Sequence, residues 1–262
     1  KPPTTVWGTY LRCHDDIGWA IDDGDAASVE LNGFEHRHFL AEYYAGLFPM
    51  SDARGLVFQE NLATGDRRIS GTAASLAGIE SALNSGDEIH VDLAVRRYLL
   101  AYSLVLGFGG LPLIYMGDEL ALRNYYDFVD DSDHADDNRW VHRPPMPWDL
   151  VDNRHIEGTA EYRVWHGLRH AIAVRSSLPS LDASVESEIL DPVNPAVLVF
   201  HRRYQTQTMV GVYNMTPEPQ KLPRWVIPLG NWAWDALTEE TPLTDGPLSL
   251  DSYQVRWFVQ QT

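Results

Sequence analysis

The chain has 262 residues, 44% of them hydrophobic, with 20 Lys plus Arg against 37 Asp plus Glu and a formal net charge of −17. That length suits one large or two smaller globular domains with a sizeable core, and the negative field disfavours nucleic acid and anionic membrane as partners while leaving a neutral ligand indifferent. The lone cysteine, Cys13, excludes an intrachain disulfide and fits a reducing cytoplasm, and no apolar run reaches the roughly 18 residues of a membrane span. The start at Lys1 shows no signal peptide and no Met, which points to a fragment or a processed product.

Residues 5–12 are rich in β-branched and aromatic side chains and follow Pro2-Pro3, which predicts a buried strand. His14-Asp15-Asp16 stand at its carboxyl end. Two carboxylates and a histidine there can grip several hydroxyls or tune each other's proton affinity; equally, they can be a polar loop that caps the next element. Residues 17–25 are acidic and loop-like. Residues 35–48 predict an amphipathic helix, with Phe39, Leu40, Tyr43, Tyr44, Leu47 and Phe48 at helical spacing and Arg37 on another face. His36 and His38, two apart, diverge on such a helix and do not share a metal. Residues 51–68 read as irregular, and 70–83 as a small-residue helix with a Ser or Thr cap.

Residues 92–107 predict a long helix capped by Asp92 and ended by Gly107. Residues 111–116 predict a second buried strand, again ending in charge, Gly117-Asp118-Glu119. Strand, charged end, helix, strand is the pattern of parallel βα units. The glycines at 107, 109 and 110 precede a strand, the wrong place for a dinucleotide loop, and no cofactor is expected. Residues 127–137 hold six aspartates but lack the Gly and Glu of a hand-type calcium loop; a solvated loop or a weak cation site are both open, and no metal ligand is assigned. Arg139, next to so much negative charge, should pair with a carboxylate, local or distant. Residues 160–177 form a last helix, with Val164, Trp165, Leu168, Ile172 and Val174 inward. Beyond Pro179 short β-like runs at 197–204, 208–213, 232–235 and 254–259 indicate a separate antiparallel module.

This order resembles the C-terminal portion of the alpha-amylase family of retaining α-glucosidases and glucosyltransferases. The motifs that carry the resemblance are His14-Asp15-Asp16-Ile17-Gly18-Trp19, Arg67-Arg68-Ile69-Ser70-Gly71-Thr72-Ala73-Ala74, the segment Gly110-Leu111-Pro112-Leu113-Ile114-Tyr115-Met116-Gly117-Asp118-Glu119, and Asp136-Asp137-Asn138-Arg139-Trp140. Within the family they are most similar to amylosucrases. The fold implied is α/β plus all-β: residues 1–179 as the C-terminal part of a (β/α)8 TIM barrel, strands seven and eight with a helical insertion at about 17–90, and residues 180–262 as an antiparallel β-sandwich.

The resemblance also implies roles. Asp15 would stabilise the transition state by holding the 2- and 3-hydroxyls of a distorted glucosyl ring, with His14 donating to the same ring. Asp16 and Arg68 would hold the fructosyl ring of sucrose. Arg139 would pair with a barrel carboxylate and close the pocket, and Arg37 and Phe39 would lie near acceptor sites for α-glucan or maltooligosaccharide. The family's nucleophile and acid/base lie on barrel strands four and five, which would precede Lys1, so the chain alone is expected to be inactive and to need the N-terminal remainder of the enzyme as its partner. Transfer to glucan, hydrolysis of sucrose and action on another α-glucoside stay open. A His-Asp phosphohydrolase needs an earlier histidine ligand, and residues 1–13 hold none. A non-catalytic sugar-binding module built on Trp225, Trp232, Trp234 and Trp257 is the alternative of another class.

Overall fold

The computed structural model describes residues 5–239 and 245–261; Pro2 and Pro3 lie outside them. In chain order the elements are β1 (Gly8–Tyr10), α1 (Asp23–Ser28), α2 (Gly33–Tyr44), β2 (Leu56–Glu60), β3 (Arg67–Ser70), α3 (Ala73–Leu76), α4 (Ile79–Ser85), α5 (Glu88–Phe108) and β4 (Leu111–Leu113). After several 3-10 turns come α6 (Ala160–Ser177), β5 (Glu188–Leu190), β6 (Val197–Tyr204), β7 (Gln207–Asn214), β8 (Gln220–Leu222), β9 (Trp234–Asp235), β10 (Leu248–Leu250) and β11 (Val255–Gln261). Packing divides the chain into two interleaved compact units, one of residues 1–11, 95–113 and 163–262, the other of residues 12–94 and 114–162.

In the first unit, β1 and β4 pair in parallel, Gly8 opposite Leu111 and Tyr10 opposite Leu113. Both strands are shorter than the apolar runs that predicted them, and Trp7, Tyr10, Leu111 and Leu113 are exposed. A five-stranded antiparallel sheet runs in the order β5-β6-β7-β11-β9, and β8 pairs with β10 in a second sheet. Val199, Val210, Val212 and Phe258 from the large sheet pack with Leu222 and Leu250 from the small one, which makes the two sheets a sandwich. The opposite face of the large sheet carries Phe200, Met209, Tyr213 and Trp257 and is covered by Leu100 and Leu106 of α5 and Ala171 of α6. The boundary at 179/180 therefore separates types of secondary structure, while packing places the end of α5 and nearly all of α6 with the sandwich. α6 turns Val164, Leu168 and Ala171 inward, and Ile172 lies on its exposed side. At Gly107 the helix comes so close to the sheet that an added Cβ would sit 2.5 Å from the Tyr213 hydroxyl and 3.1 Å from Trp257. That hydroxyl donates to Ser103 O (3.1 Å) and accepts from Trp257 Nε1 (2.8 Å), so the buried polar atoms are satisfied.

The second unit carries the insertion. α2 starts two residues before its predicted start, because Asn32 caps it by accepting from the Glu35 amide (3.1 Å). The helix predicted over 70–83 is two, α3 capped by Thr72 and α4, because Gly78 adopts a left-handed backbone (φ +88°) that breaks the run. α5 begins earlier than predicted: Asp87, not Asp92, accepts from the Ile89 amide (2.9 Å). Residues 51–68, read as irregular, contain β2 and the start of β3, whose hairpin runs on to Ser70, the first residue of the predicted 70–83 helix; a bulge between Val57 and Gln59 leaves Phe58 as the extra residue. β2 opens on three successive apolar residues and β3 has only four residues, so neither shows a period of two. Among the described residues, no helix is long and apolar enough to cross a membrane.

Candidate active site

The second unit places the His14-Asp15-Asp16 turn against the hairpin. Ile17 and Ile69 exchange both backbone hydrogen bonds (2.8 and 3.1 Å), and this bridge lays the turn beside β3. Asp16 and Arg68 then meet, Oδ2 to Nη1, at 3.3 Å; the Asp16 side chain is 8% exposed and that of Arg68 55%. His14 and Asp15 are exposed beside them, with His14 Nε2 3.5 Å from Asp15 Oδ2. The donor atoms of Cys13, His14 and Asp15 lie within 4.8 Å of one another. Such convergence also serves a ligand with several hydroxyls, and these residues are not assigned to a metal.

A cavity of about 810 Å³ opens next to the Asp16–Arg68 pair, lined among others by Trp19, Arg37, Gln59, Glu60, Arg67 and Arg68. Its cations Arg37 and Arg67 are paired with nearby carboxylates, of which Glu60 and Asp66 also line the cavity. Arg37 donates through Nη1 to Asp23 Oδ1 and the Ile21 carbonyl (2.8 Å each) and through Nε to Asp66 Oδ1 (3.2 Å). Asp23 first, and then Asp66, hold the proton on that guanidinium more tightly than usual. Asp66 in turn is lowered from the ordinary carboxylate range by the Thr64 hydroxyl and by Arg37. Arg67 faces Glu60 at 3.5 Å and Glu42 at 3.7 Å. Such a cavity offers donors and acceptors in balance, which suits a neutral polyhydroxyl ligand better than an anion.

The remaining expected residues lie around this centre. Arg139 pairs locally with Asp137, Nη2 to Oδ2 at 2.7 Å and Nε to Oδ1 at 2.9 Å; of the two kinds of carboxylate left open for it, local or distant, it takes the local one. The Arg139 hydrogen bonds pull the Asp137 carboxyl below its usual range. Its guanidinium lies 4.6 Å from the Phe58 ring centroid, and Asp15 and Asp16 are near enough to add to its attraction for a proton. Phe39 packs edge-on to Phe48 (4.9 Å) and beside Tyr43, in an aromatic cluster on α2. Asp118 is buried, and the Glu119 carboxylate accepts from the Gly117 amide (2.9 Å).

Three residues that the sequence did not single out hold the turn in place. Arg12, read as the end of an apolar strand, is buried; its Nε donates to Gly71 O (2.9 Å) and its Nη2 to Asp15 O (2.7 Å). Arg143 donates through Nε and Nη2 to His14 O (2.9 and 2.7 Å). His142 is 1% exposed and accepts at Nδ1 from the Gly71 amide (3.2 Å). Burial, and then the Arg12 cation, push its pKa down to about 4. An arginine at the end of an apolar strand, beside a catalytic-looking turn, was the one available signal; the reach from 142 to 71 had none.

No family model matches the chain. In sequence it is similar to glucosylglycerate phosphorylase of Escherichia coli (strain K12), 23% identical over 256 residues, which covers 97% of this chain and 41% of the relative. In structure it is similar to AmyP, solved in complex with maltotriose, with a TM-score of 0.52 and 14% identity, over 71% of this chain and 38% of that one. The trehalulose synthase MutB from Pseudomonas mesoacidophila MX-45 is similar with a TM-score of 0.47 and 20% identity, over 63% of this chain and 38% of that one. The likeness to alpha-amylase-family enzymes read from the motifs therefore holds: the chain resembles one such enzyme throughout its own length and shares the fold of part of another. It spans about two fifths of the length of these relatives.

Proposed function

We propose that this chain is the C-terminal part of a retaining α-glucosidase or glucosyltransferase acting on sucrose, with β1 and β4 as barrel strands seven and eight and residues 180–262 as the C-terminal sandwich domain. The observation that carries the sucrose reading is the 3.3 Å pairing of Asp16, beside His14 and Asp15, with Arg68, which lines the cavity. In this reading Asp15 accepts hydrogen bonds from two hydroxyls of the glucosyl ring, which strengthen as the ring gains oxocarbenium character, and His14 donates to the same ring. Asp16 and Arg68 hold the fructosyl ring, and Arg37 acts near the acceptor by bracing residues 21–23 against the 61–66 loop.

Retention needs a nucleophile and an acid/base about 5–5.5 Å apart. Asp15 and Asp16 are neighbours on one turn and Asp118 is buried, so none of these three supplies such a pair; on this reading the pair lies in the rest of the enzyme, and the chain is expected to be inactive alone. The exposed apolar residues of the two-stranded parallel sheet, Tyr10, Leu111 and Leu113, support a partner surface supplied by the rest of the barrel.

A second reading, phosphorolysis, is favoured by the name of the phosphorylase relative, while the balanced cavity favours transfer to a sugar or to water. The test is incubation of the full-length protein with sucrose, with and without maltooligosaccharide or inorganic phosphate. Fructose release with glucan elongation supports transfer, equal glucose and fructose support hydrolysis, and phosphate-dependent glucose 1-phosphate supports phosphorolysis. Sucrose left intact under all three conditions refutes the sucrose reading.

A further inference from the structure

We propose that His142 is a positioning residue for the His14-Asp15-Asp16 turn, acting through the Gly71 peptide as a neutral hydrogen-bond acceptor. The inference rests on the reading of that turn as the glucosyl-binding group. Its geometry is independent of that reading.

Gly71 is held through both of its backbone polar groups. Its N–H donates to His142 Nδ1 at 3.2 Å, and its carbonyl accepts from Arg12 Nε at 2.9 Å. Arg12 reaches on to the Asp15 carbonyl, and Arg143, next in the chain to His142, takes the His14 carbonyl through two hydrogen bonds. Gly71 directly follows β3, which presents Arg68 three residues earlier. One residue thus ties the end of the hairpin, the backbone of the turn and the 138–143 segment together. Asp15, Asp16 and Arg68 share a support in which, among the described residues, the His142 side chain accepts from Gly71 N.

Because a backbone N–H can only donate, Nδ1 must hold a free lone pair, and the neutral ring carries its proton on Nε2. Nε2 is buried with no hydrogen-bond partner among the described residues. Protonating Nδ1 would set two donors face to face and break the support. The groups that face the ring weigh on this in opposite senses: the Arg12 and Arg143 cations oppose a second proton, the Asp16 carboxylate and the His14 backbone favour it, and burial, the largest cause, opposes it. The ring therefore stays neutral through the mildly acid range, and the support releases only near pH 4.

The experiment compares His142→Phe and His142→Asn in the full-length protein. Phe keeps the ring's bulk without an acceptor, while Asn returns an oxygen near the place of Nδ1 and cannot titrate. The readouts are kcat and KM for sucrose from pH 4 to 8, with nitrogen–proton correlation spectra of the wild-type histidines. The expectation is a loss of kcat of about 10- to 100-fold in H142F, with KM moved far less. H142N should recover most of that loss and lose the acid limb near pH 4. Wild-type kcat and an unchanged pH profile in H142F overturn the proposal. If H142F does not fold, the spectra decide: Nδ1 unprotonated and Nε2 protonated down to about pH 5 upholds it, and the opposite tautomer or a charged ring at pH 6 overturns it. A wild-type protein that cleaves no α-glucoside refutes the proposed function, and the same spectra still decide the place of His142.

Discussion

Replacing Arg68 by Ala should separate substrate binding from stability. The guanidinium lies 3.3 Å from Asp16. At that distance Coulomb's law yields about 5 kcal/mol with an effective dielectric of 20 and about 1.3 kcal/mol in water. Arg68 is 55% exposed, so screening and side-chain entropy bring the net contribution to folding below about 1 kcal/mol. A hydrogen bond from the same guanidinium to a bound sugar hydroxyl, in a partly closed cavity, is worth about 1.5–3 kcal/mol. Loss of that bond should lower kcat/KM for sucrose roughly 10- to 150-fold, with Tm shifted by no more than a few degrees. An aryl α-glucoside has no fructosyl ring, so its kcat/KM should change much less. The assay is steady-state kinetics of the full-length Arg68→Ala variant on both substrates. Equal losses on the two would refute a fructosyl contact, and a large fall in Tm would show that the pair serves the fold.

Three further outcomes are expected. Asp15→Asn keeps the shape of the turn but removes the charge that should meet the oxocarbenium-like ring, so turnover should fall about 10²- to 10³-fold; near-normal turnover in that variant would rule out its assigned role. Gly107→Ala places a methyl 2.5 Å from the Tyr213 hydroxyl and should destabilise the first unit by about 1–3 kcal/mol, seen as a lowered urea midpoint; an unchanged midpoint would mean that helix and sheet can part at no cost. Acid should weaken folding through His142. Its unfolded pKa near 6.5 lies above the folded value of about 4, so the unfolded chain takes up the proton first. Stability then falls as pH drops from about 6.5 to about 4, by about 3 kcal/mol in all, and levels off below. Urea midpoints measured across that range should fall less steeply in His142→Asn.

The elements most legible in the sequence were those fixed by long apolar periodicity. The helix predicted over 160–177 is α6 itself, and of the β-like runs beyond residue 197, three became the central strands β6, β7 and β11 of the large sheet and the fourth, at 232–235, holds its edge strand β9. Boundaries set by single side chains were less legible, as Asp87 in place of Asp92 and Gly78 inside a helical pattern show. The hairpin at 56–70 escaped because β2 opens on three successive apolar residues instead of alternating, β3 is only four residues long, and the pair is bulged. At the candidate site, His14, Asp15, Asp16 and Arg68 could be named because they sit in short motifs. Arg12, Gly71, His142 and Arg143 could not: their bonds span up to 129 positions, and no local spacing encodes a contact between such distant segments. Arg37 was legible as a residue of the cavity but not as a brace, since its partners lie 14 and 29 positions away.

The pairing of the cavity's Arg37 and Arg67 with nearby carboxylates has a consequence for where this protein can work. A pocket that attracts its ligand by net charge loses affinity as ions accumulate, because added salt shortens the reach of the field. Here the guanidinium of Arg37 faces Asp23 and Asp66, and that of Arg67 faces Glu60 and Glu42, so little field extends toward the ligand and little remains to be screened. The chain's surplus of acidic residues likewise does nothing to a molecule without charge. On the proposed reading, binding of a neutral sugar there should depend little on ionic strength, and sucrose KM measured across a range of salt concentrations should stay nearly constant.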